Sequence, residues 1–265
     1  MFKLLKIHLK SEKTRFFKPL GRDSVITVLL LMTLAGTSQA EGVRAILKQA
    51  DSYRLRQDTV QVETQVALYK SGKLNKTRHY SVYLKPGRRS LVIFKSAVER
   101  GQKVLMRDDK FWMVMPKSRR PIRITPMQKL LGEASTGDIA TMTWGEDYDG
   151  EISEVEVVNQ IPCLKLDLHS IRKGTTYAHI ELYVAQDGYW PVQANLYVAS
   201  GRLAKLASFT LGELDDRRQV TAMTLLDKIQ RQRKTVIRYL SITPREIPDK
   251  FYNPMYLVRN RLQGW

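Results

Sequence analysis

The sequence predicts a mainly β protein, one large antiparallel sheet preceded by a single long helix. Three observations point there. From Val60 onward, apolar residues recur with a period of two. The links between these runs are short and rich in Gly, Asn, Asp or basic residues. Ahead of the first run, one segment alone shows a long helical stripe.

That segment is Val43–Gln57. Val43, Ile46, Leu47, Ala50, Tyr53 and Arg54 share one face, with Arg44, Lys48, Gln49 and Asp51 opposite, so the helix is expected to lie on the sheet. In Val60–Leu68, apolar residues alternate with Gln61, Glu63 and Gln65 up to a turn at Ser71-Gly72. Strands are then expected at Thr77–Leu84, Arg89–Lys95, Gly101–Met106 and Lys110–Met115, the last preceded by a hairpin turn at Asp108-Asp109 and ended by Pro116.

The middle, 117–150, reads differently. A basic loop, Lys117 to Pro121, leads into a brief strand at Ile122–Ile124. Pro126–Leu131 is expected to be helical, Gly132 to Gly137 is a stretch rich in small residues, and Asp138 is expected to cap a second short helix running to Trp144. Strands resume at Ile152–Val158, Cys163–Ser170, Thr175–Ala185, Pro191–Ala199, Leu203–Leu211, Gln219–Ile229 and Thr235–Thr243. Their links have the spacing of a meander. The tail, Ile247–Asn260, is expected to pack across an edge. A sheet of about eleven to thirteen strands cannot stay open and flat: it packs in two layers or curls into a barrel. One helix and the middle segment are scant cover for it, which leaves room for a lined interior.

The front end reads as an export signal. A basic stretch with Lys3, Lys6, Lys10 and Arg15 precedes the apolar run Val25–Leu34, and Ser38 and Ala40 give the small-residue spacing of a cleavage site before Glu41. The apolar run is shorter than a membrane-spanning helix needs, although a retained inner-membrane anchor is the alternative. No Cys follows it for lipid attachment, so residues 41–265 are expected to form a single soluble periplasmic domain. The chain carries 44 Lys/Arg against 26 Asp/Glu, a formal charge of +18, and the first 40 residues hold seven of those cations and two of the anions. A basic surface favours anionic partners, and export points to membrane surfaces rather than nucleic acid. The lone Cys163 can form no disulfide within the chain and reads as a small core residue in an apolar strand.

Four stretches stand out together: Gly101–Met106 with Lys110–Lys117, a "W-x-x-x-P" strand; Arg120–Ile124 followed by Gly137-Asp138-Ile139; Glu181–Val184 with Tyr189–Val192; and Ile247-Pro248 to Tyr256-Leu257. In this order and spacing they resemble the LolA-like family of bacterial outer-membrane lipoprotein-sorting proteins. The resemblance implies a half-open antiparallel β-barrel around an apolar cavity, with helices as its lid. It also implies carriage of lipoprotein or phospholipid acyl chains between membranes. The family often has a second acidic residue shortly after the Gly-Asp motif, where this chain has Ala140-Thr141-Met142.

The expected cavity and lid residues are Phe111, Trp112, Met113, Met115, Met127, Leu130, Leu131, Met142 and Trp144. Met and aromatic side chains adapt to irregular apolar ligands, and ordinary core packing is the competing explanation. Each buried methylene is worth ~0.8 kcal/mol, so a long chain binds without polar contacts. Lys117, Arg119, Arg120 and Arg123 form a basic group beside the lid, suited to phosphate headgroups or an acidic partner such as an inner-membrane exporter, or else a solvated turn. A cargo-free accessory subunit of a lipid exporter is the alternative function.

No Gly-x-Ser-x-Gly, His-Glu-x-x-His or phosphate-cradling loop occurs, and neither enzyme activity, cofactor nor metal is expected. Glu146, Asp147 and Asp149 read as a solvated turn. His169 and His179 could face one another across a hairpin with Asp167 or Glu181 beside them, a weak metal pattern without a third fixed ligand.

Overall fold

The computed structural model describes residues 42–54, 59–131, 134–140, 143–230 and 232–260, all within the unit Gln39–Trp265. The expected export signal and the end of the predicted helix at 55–57 lie outside them. Helix α1 spans 42–52. The strands are β1 (Val60–Lys70), β2 (Lys73–Lys85), β3 (Arg89–Phe94), β4 (Lys103–Arg107), β5 (Lys110–Val114), β6 (Ile122–Ile124), β7 (Lys129–Leu131) and β8 (Ala134–Ser135). After α2 (Thr136–Ala140) and α3 (Trp144–Asp147) come β9 (Tyr148–Val158), β10 (Ile161–Ser170), β11 (His179–Ala185), β12 (Pro191–Tyr197), β13 (Leu203–Leu214), β14 (Arg217–Asp227) and β15 (Arg233–Pro244). A 3-10 turn, Asp249–Tyr252, and α4 (Pro254–Arg259) close the described chain.

Among the described residues thirteen strands form one sheet in the order β6-β5-β4-β3-β2-β1-β15-β14-β13-β12-β11-β10-β9. Two meanders, β1–β6 and β9–β15, are thus joined where β1 pairs antiparallel with β15 from Val60↔Pro244 to Lys70↔Arg233. The outer strands β6 and β9 each have a single partner, so the sheet is curled but open, as a half-open barrel is. The hairpins turn where two successive residues take positive φ, as at Ser71 (49°) with Gly72 (78°), Asn159 (50°) with Gln160 (67°) and Asp215 (52°) with Asp216 (56°). That backbone matches the right-handed strand twist.

Helix α1 lies against the concave side. Val43, Leu47 and Ala50 are fully buried in one cluster with inward residues of the sheet, among them Tyr80, Val92, Leu182 and Ile237. The predicted stripe therefore does what an amphipathic helix must. The tail does not lie across an edge. Ile247, Phe251, Tyr252 and Leu257 pack against Tyr83, Leu91, Ile93, Leu105 and Val114, so they cover the opposite, outer face of β2–β5. Asn253 starts α4 by accepting from the backbone N–H of Met255 (2.9 Å) and Tyr256 (3.3 Å), with Pro254 at the first helical position. Among the described residues no helix is long and apolar enough to cross a membrane.

Two further expectations are corrected. Residues 126–131 are not a helix: 129–131 pair with Ala134–Ser135 as a two-stranded ribbon. Pro126 and Gln128 turn their carbonyls to the N–H groups of Gly137 (3.0 Å) and Thr136 (2.8 Å), which ties the backbone to the next element instead of to a helical ladder. The strand expected from Thr175 starts at His179, because Thr176 and Tyr177 are buried beneath α2.

Candidate functional site

The gap between β6 and β9 is bridged in sequence by residues 125–147. Ala134, Ile139 and Trp144 from this stretch belong to the same buried cluster as α1 and the concave face of the sheet, so it forms part of the cover of the interior. Its attachment rests on three carboxylates rather than on pairing into the large sheet.

Asp138 is the deepest, its side chain fully buried. It accepts from the backbone N–H (2.8 Å) and hydroxyl (2.7 Å) of Ser135, from the Tyr177 hydroxyl (2.9 Å) and from Lys205 Nζ (2.7 Å). Ser135-Thr136-Gly137-Asp138 is a capping-box arrangement in which Asp takes the usual Glu position. Asp138 thus sits inside α2 and reaches back to its start, rather than preceding the helix as expected. Burial pushes its carboxyl pKa up, but the Lys205 ammonium and the hydrogen bonds outweigh that and hold it below the usual carboxylate value. Gly137 permits the close approach: a Cβ there would lie 2.0 Å from Thr176 Oγ1.

Asp51, on α1, accepts from the backbone N–H of Trp144 (3.0 Å) and Gly145 (2.8 Å), the free donors at the start of α3. Burial drives its pKa up to about 6, with the Arg54 guanidinium and these two N–H groups pulling the other way. Trp144 is completely buried; the Arg54 guanidinium lies 4.1 Å from its ring centroid, and Phe209 meets it edge-on at 5.6 Å. Its indole Nε1–H finds no acceptor among the described residues, a buried donor that costs about 1–3 kcal/mol if it stays unpaired. Asp147, the third carboxylate, pairs with Arg88, with Arg172 at 3.5 Å and with the Thr143 hydroxyl at 3.3 Å. At 4% exposed it is not part of the solvated turn expected of it, whereas Glu146 is exposed and Asp149 forms an exposed pair with Arg44 at 3.0 Å.

The predicted cavity residues separate. Phe111 and Met113 face the interior cluster. Trp112 instead packs on the outer cluster with Val114, and the Arg123 guanidinium stands 4.6 Å from its ring centroid. Strand alternation compels the difference, since Phe111 and Trp112 are neighbours. Met115 is half-buried, Met127 is 42% exposed, and the side chains of 130, 131 and 142 lie outside what is described. Trp144 is the predicted residue set deepest in the cover. Lys117, Arg119, Arg120 and Arg123 are all exposed on the approach to and along edge strand β6. Asp51, Arg54 and Lys205 were missed. The usable signal was Asp51 and Arg54 three apart on one helix, while nothing local marks Lys205 as a partner of Asp138.

A family model described as "uncharacterized protein" matches residues 86–259, well over half of the chain. No curated protein matches it. Among solved structures, a LolA superfamily protein from Nitrosomonas europaea is 29% identical, with a TM-score of 0.75 over 82% of this chain and 99% of that one. A DUF1329 family protein from Desulfovibrio piger is 22% identical (TM-score 0.67, covering 83% and 99%). A domain from Vibrio parahaemolyticus assigned to outer membrane lipoprotein sorting is 17% identical (TM-score 0.67, covering 83% and 100%). These last two share the fold.

Proposed function

From the premise that this chain belongs to the family matched over residues 86–259 and has the fold of the LolA superfamily, we propose that it is a periplasmic carrier, not an enzyme. At the coarse level its role is to bind lipid or protein in the periplasm. In the finer reading, it is exported after cleavage before Glu41 and residues 41–265 form the carrier domain. Acyl chains of a lipoprotein or phospholipid then enter the interior when residues 125–147 lift from α1, and they stay sheltered from water during transfer between membranes. The observation that carries this reading is the character of the cover. An apolar interior in an open sheet is closed by a short segment docked through Asp51, Asp138 and Asp147, contacts that can be broken and remade without unpairing the large sheet. The buried Trp144 indole N–H supplies a donor for an ester or carbonyl oxygen of cargo. Exposed Lys117, Arg119, Arg120 and Arg123 suit phosphate headgroups or an acidic exporter surface at the moment of loading.

The test is mass spectrometry of lipid released on denaturing protein purified from a Gram-negative periplasm, together with uptake of a fluorescent acyl probe by delipidated protein. Stoichiometric lipid and saturable uptake are expected; neither lipid nor uptake would sink the reading. A second reading, a cargo-free accessory subunit of a lipid exporter, draws on the packing of α1, the sheet and Trp144 into one continuous cluster. It predicts that lipid-stripped protein still captures an exporter's periplasmic domain while failing to take up probe.

A further inference from the structure

The polar outer face of the second meander carries a cluster that the carrier reading does not use. His169 and His179 stand directly opposite each other in the β10–β11 register, with Asp167 two residues before His169 on the same face. The two imidazole rings stack at 4.8 Å between centroids, with an interplanar angle of 18°. Both present Nε2 to one atom, Asp167 Oδ1, at 3.2 Å from His169 and 3.0 Å from His179. The ligand atoms of the three residues lie within 4.8 Å of one another.

We propose that Asp167, His169 and His179 bind one divalent transition-metal ion of the Zn2+ class on the outer face of β10 and β11. Two ligands bonded at ~2.1 Å to a tetrahedral centre stand ~3.4 Å apart. Both N···O separations are already within a few tenths of an ångström of that edge. The remaining adjustment falls on His169, whose side chain is 72% exposed and free to turn, while His179 is 24% exposed. His179 is backed by the Tyr197 ring at 4.6 Å, and Tyr197 is itself held by its hydroxyl donating to Glu181 Oε2 at 2.8 Å. One ligand is thus pre-oriented, as metal sites require of their supporting residues. Imidazole nitrogens with a carboxylate suit Zn2+, and the outward aspect leaves the fourth position to water. Local charge favours a cation against the basic character of the whole chain: on β9, Glu151 stands opposite Asp167, and Asp149, opposite His169, is shared with Arg44. Lys165, the nearest cation along β10, is engaged by Glu154 at 2.6 Å.

A hydrogen-bonded His–Asp–His group holding two strands together would look similar, so the experiment has to tell a metal from a proton. Untagged full-length protein, stripped with chelator, is titrated with Zn2+ by calorimetry beside H169A, H179A and H79A; His79 lies on β2, bonded to Gln65. Wild type and H79A are expected to bind one equivalent. Losing even a supporting partner of a metal ligand weakens affinity about 10–100-fold, so H169A and H179A are expected to lose about 100-fold or more. The exposure of His169 makes H169A a variant that keeps its fold, verified by an unchanged urea midpoint without metal. A wild type that shows no saturable binding, an H169A that binds as tightly as wild type, or an equal loss in H79A would each overturn the site.

Discussion

The two halves of the sheet are built alike and finished differently. In the first meander, β3 and β4 are buried on both faces: Val92 and Phe94 point to the interior cluster, and Leu91 and Ile93 lie beneath the C-terminal segment. In the second, β10 and β11 bury Leu166, Leu168, Ile180 and Leu182 inside, and their outer face carries Lys165, Asp167, His169, His179 and Glu181 beside a small buried patch of Cys163, Tyr183 and Ala185. The difference teaches how to read the strands. Where both faces are covered, alternation vanishes into a continuous apolar run, as in parallel sheets; where one face meets water it survives. It also separates tasks. The first half packs on both faces, and the second turns polar side chains outward while its inner side closes against the middle segment.

That contrast can be broken deliberately. The largest effects are expected where burial is two-sided or charged. Phe251→Ala, which uncovers the outer face of β2–β5, should cost about 3–5 kcal/mol in urea unfolding. Asp138→Asn leaves Lys205 as a buried cation without its carboxylate and should cost about 3–5 kcal/mol; a loss below 1 kcal/mol would show that the pair does not anchor the middle segment. Gly137→Ala forces its Cβ against Thr176 and is expected to cost about 1–3 kcal/mol, and Thr176→Ala in the same chain should restore part of it.

The pH dependence of Asp51 sharpens the comparison within the cover. Its pKa is raised from 3.8 to about 6, so between those values the folded state binds more protons than the unfolded one. This carboxyl's contribution to stability is therefore greatest below pH 3.8 and is lost as pH rises through about 6, on the order of 1–3 kcal/mol. Urea midpoints measured across that window should show a downward slope with pH in wild type that Asp51→Asn lacks. At the other extreme, Val157→Ser on edge strand β9, 72% exposed, should change stability by less than about 0.5 kcal/mol.

Most strands were legible because the open half and β1 keep their alternation, and hairpin pairs such as Asn159-Gln160 and Asp215-Asp216 mark their own turns. The half-open architecture was legible through the family resemblance rather than through periodicity alone. What escaped notice was non-local. Asp51 meets Trp144 and Gly145 across more than ninety residues, and Lys205 meets Asp138 across 67. No local pattern announces such pairs, and a Lys in the middle of an alternating strand reads as surface. Trp112 shows the reverse lesson: its inclusion among cavity residues treated an apolar run as one surface, when adjacent strand residues must face opposite ways. The His–Asp–His group proposed to hold a metal was largely legible: the sequence offers both histidines with Asp167 or Glu181 beside them, and the fold singles out Asp167, whose Oδ1 meets both rings.

The two tryptophans that the folded sheet sets apart, Trp144 beneath the cover and Trp112 on the outer face, offer the sharpest test of where cargo goes. In proteins that each retain one of them as the sole tryptophan, delipidated samples are titrated with a bromine-labelled fatty acid that quenches indole fluorescence on contact. Saturable quenching of Trp144, with Trp112 left bright, is the result expected of an acyl-chain carrier. Quenching of Trp112 alone, of both equally, or of neither would contradict an interior site.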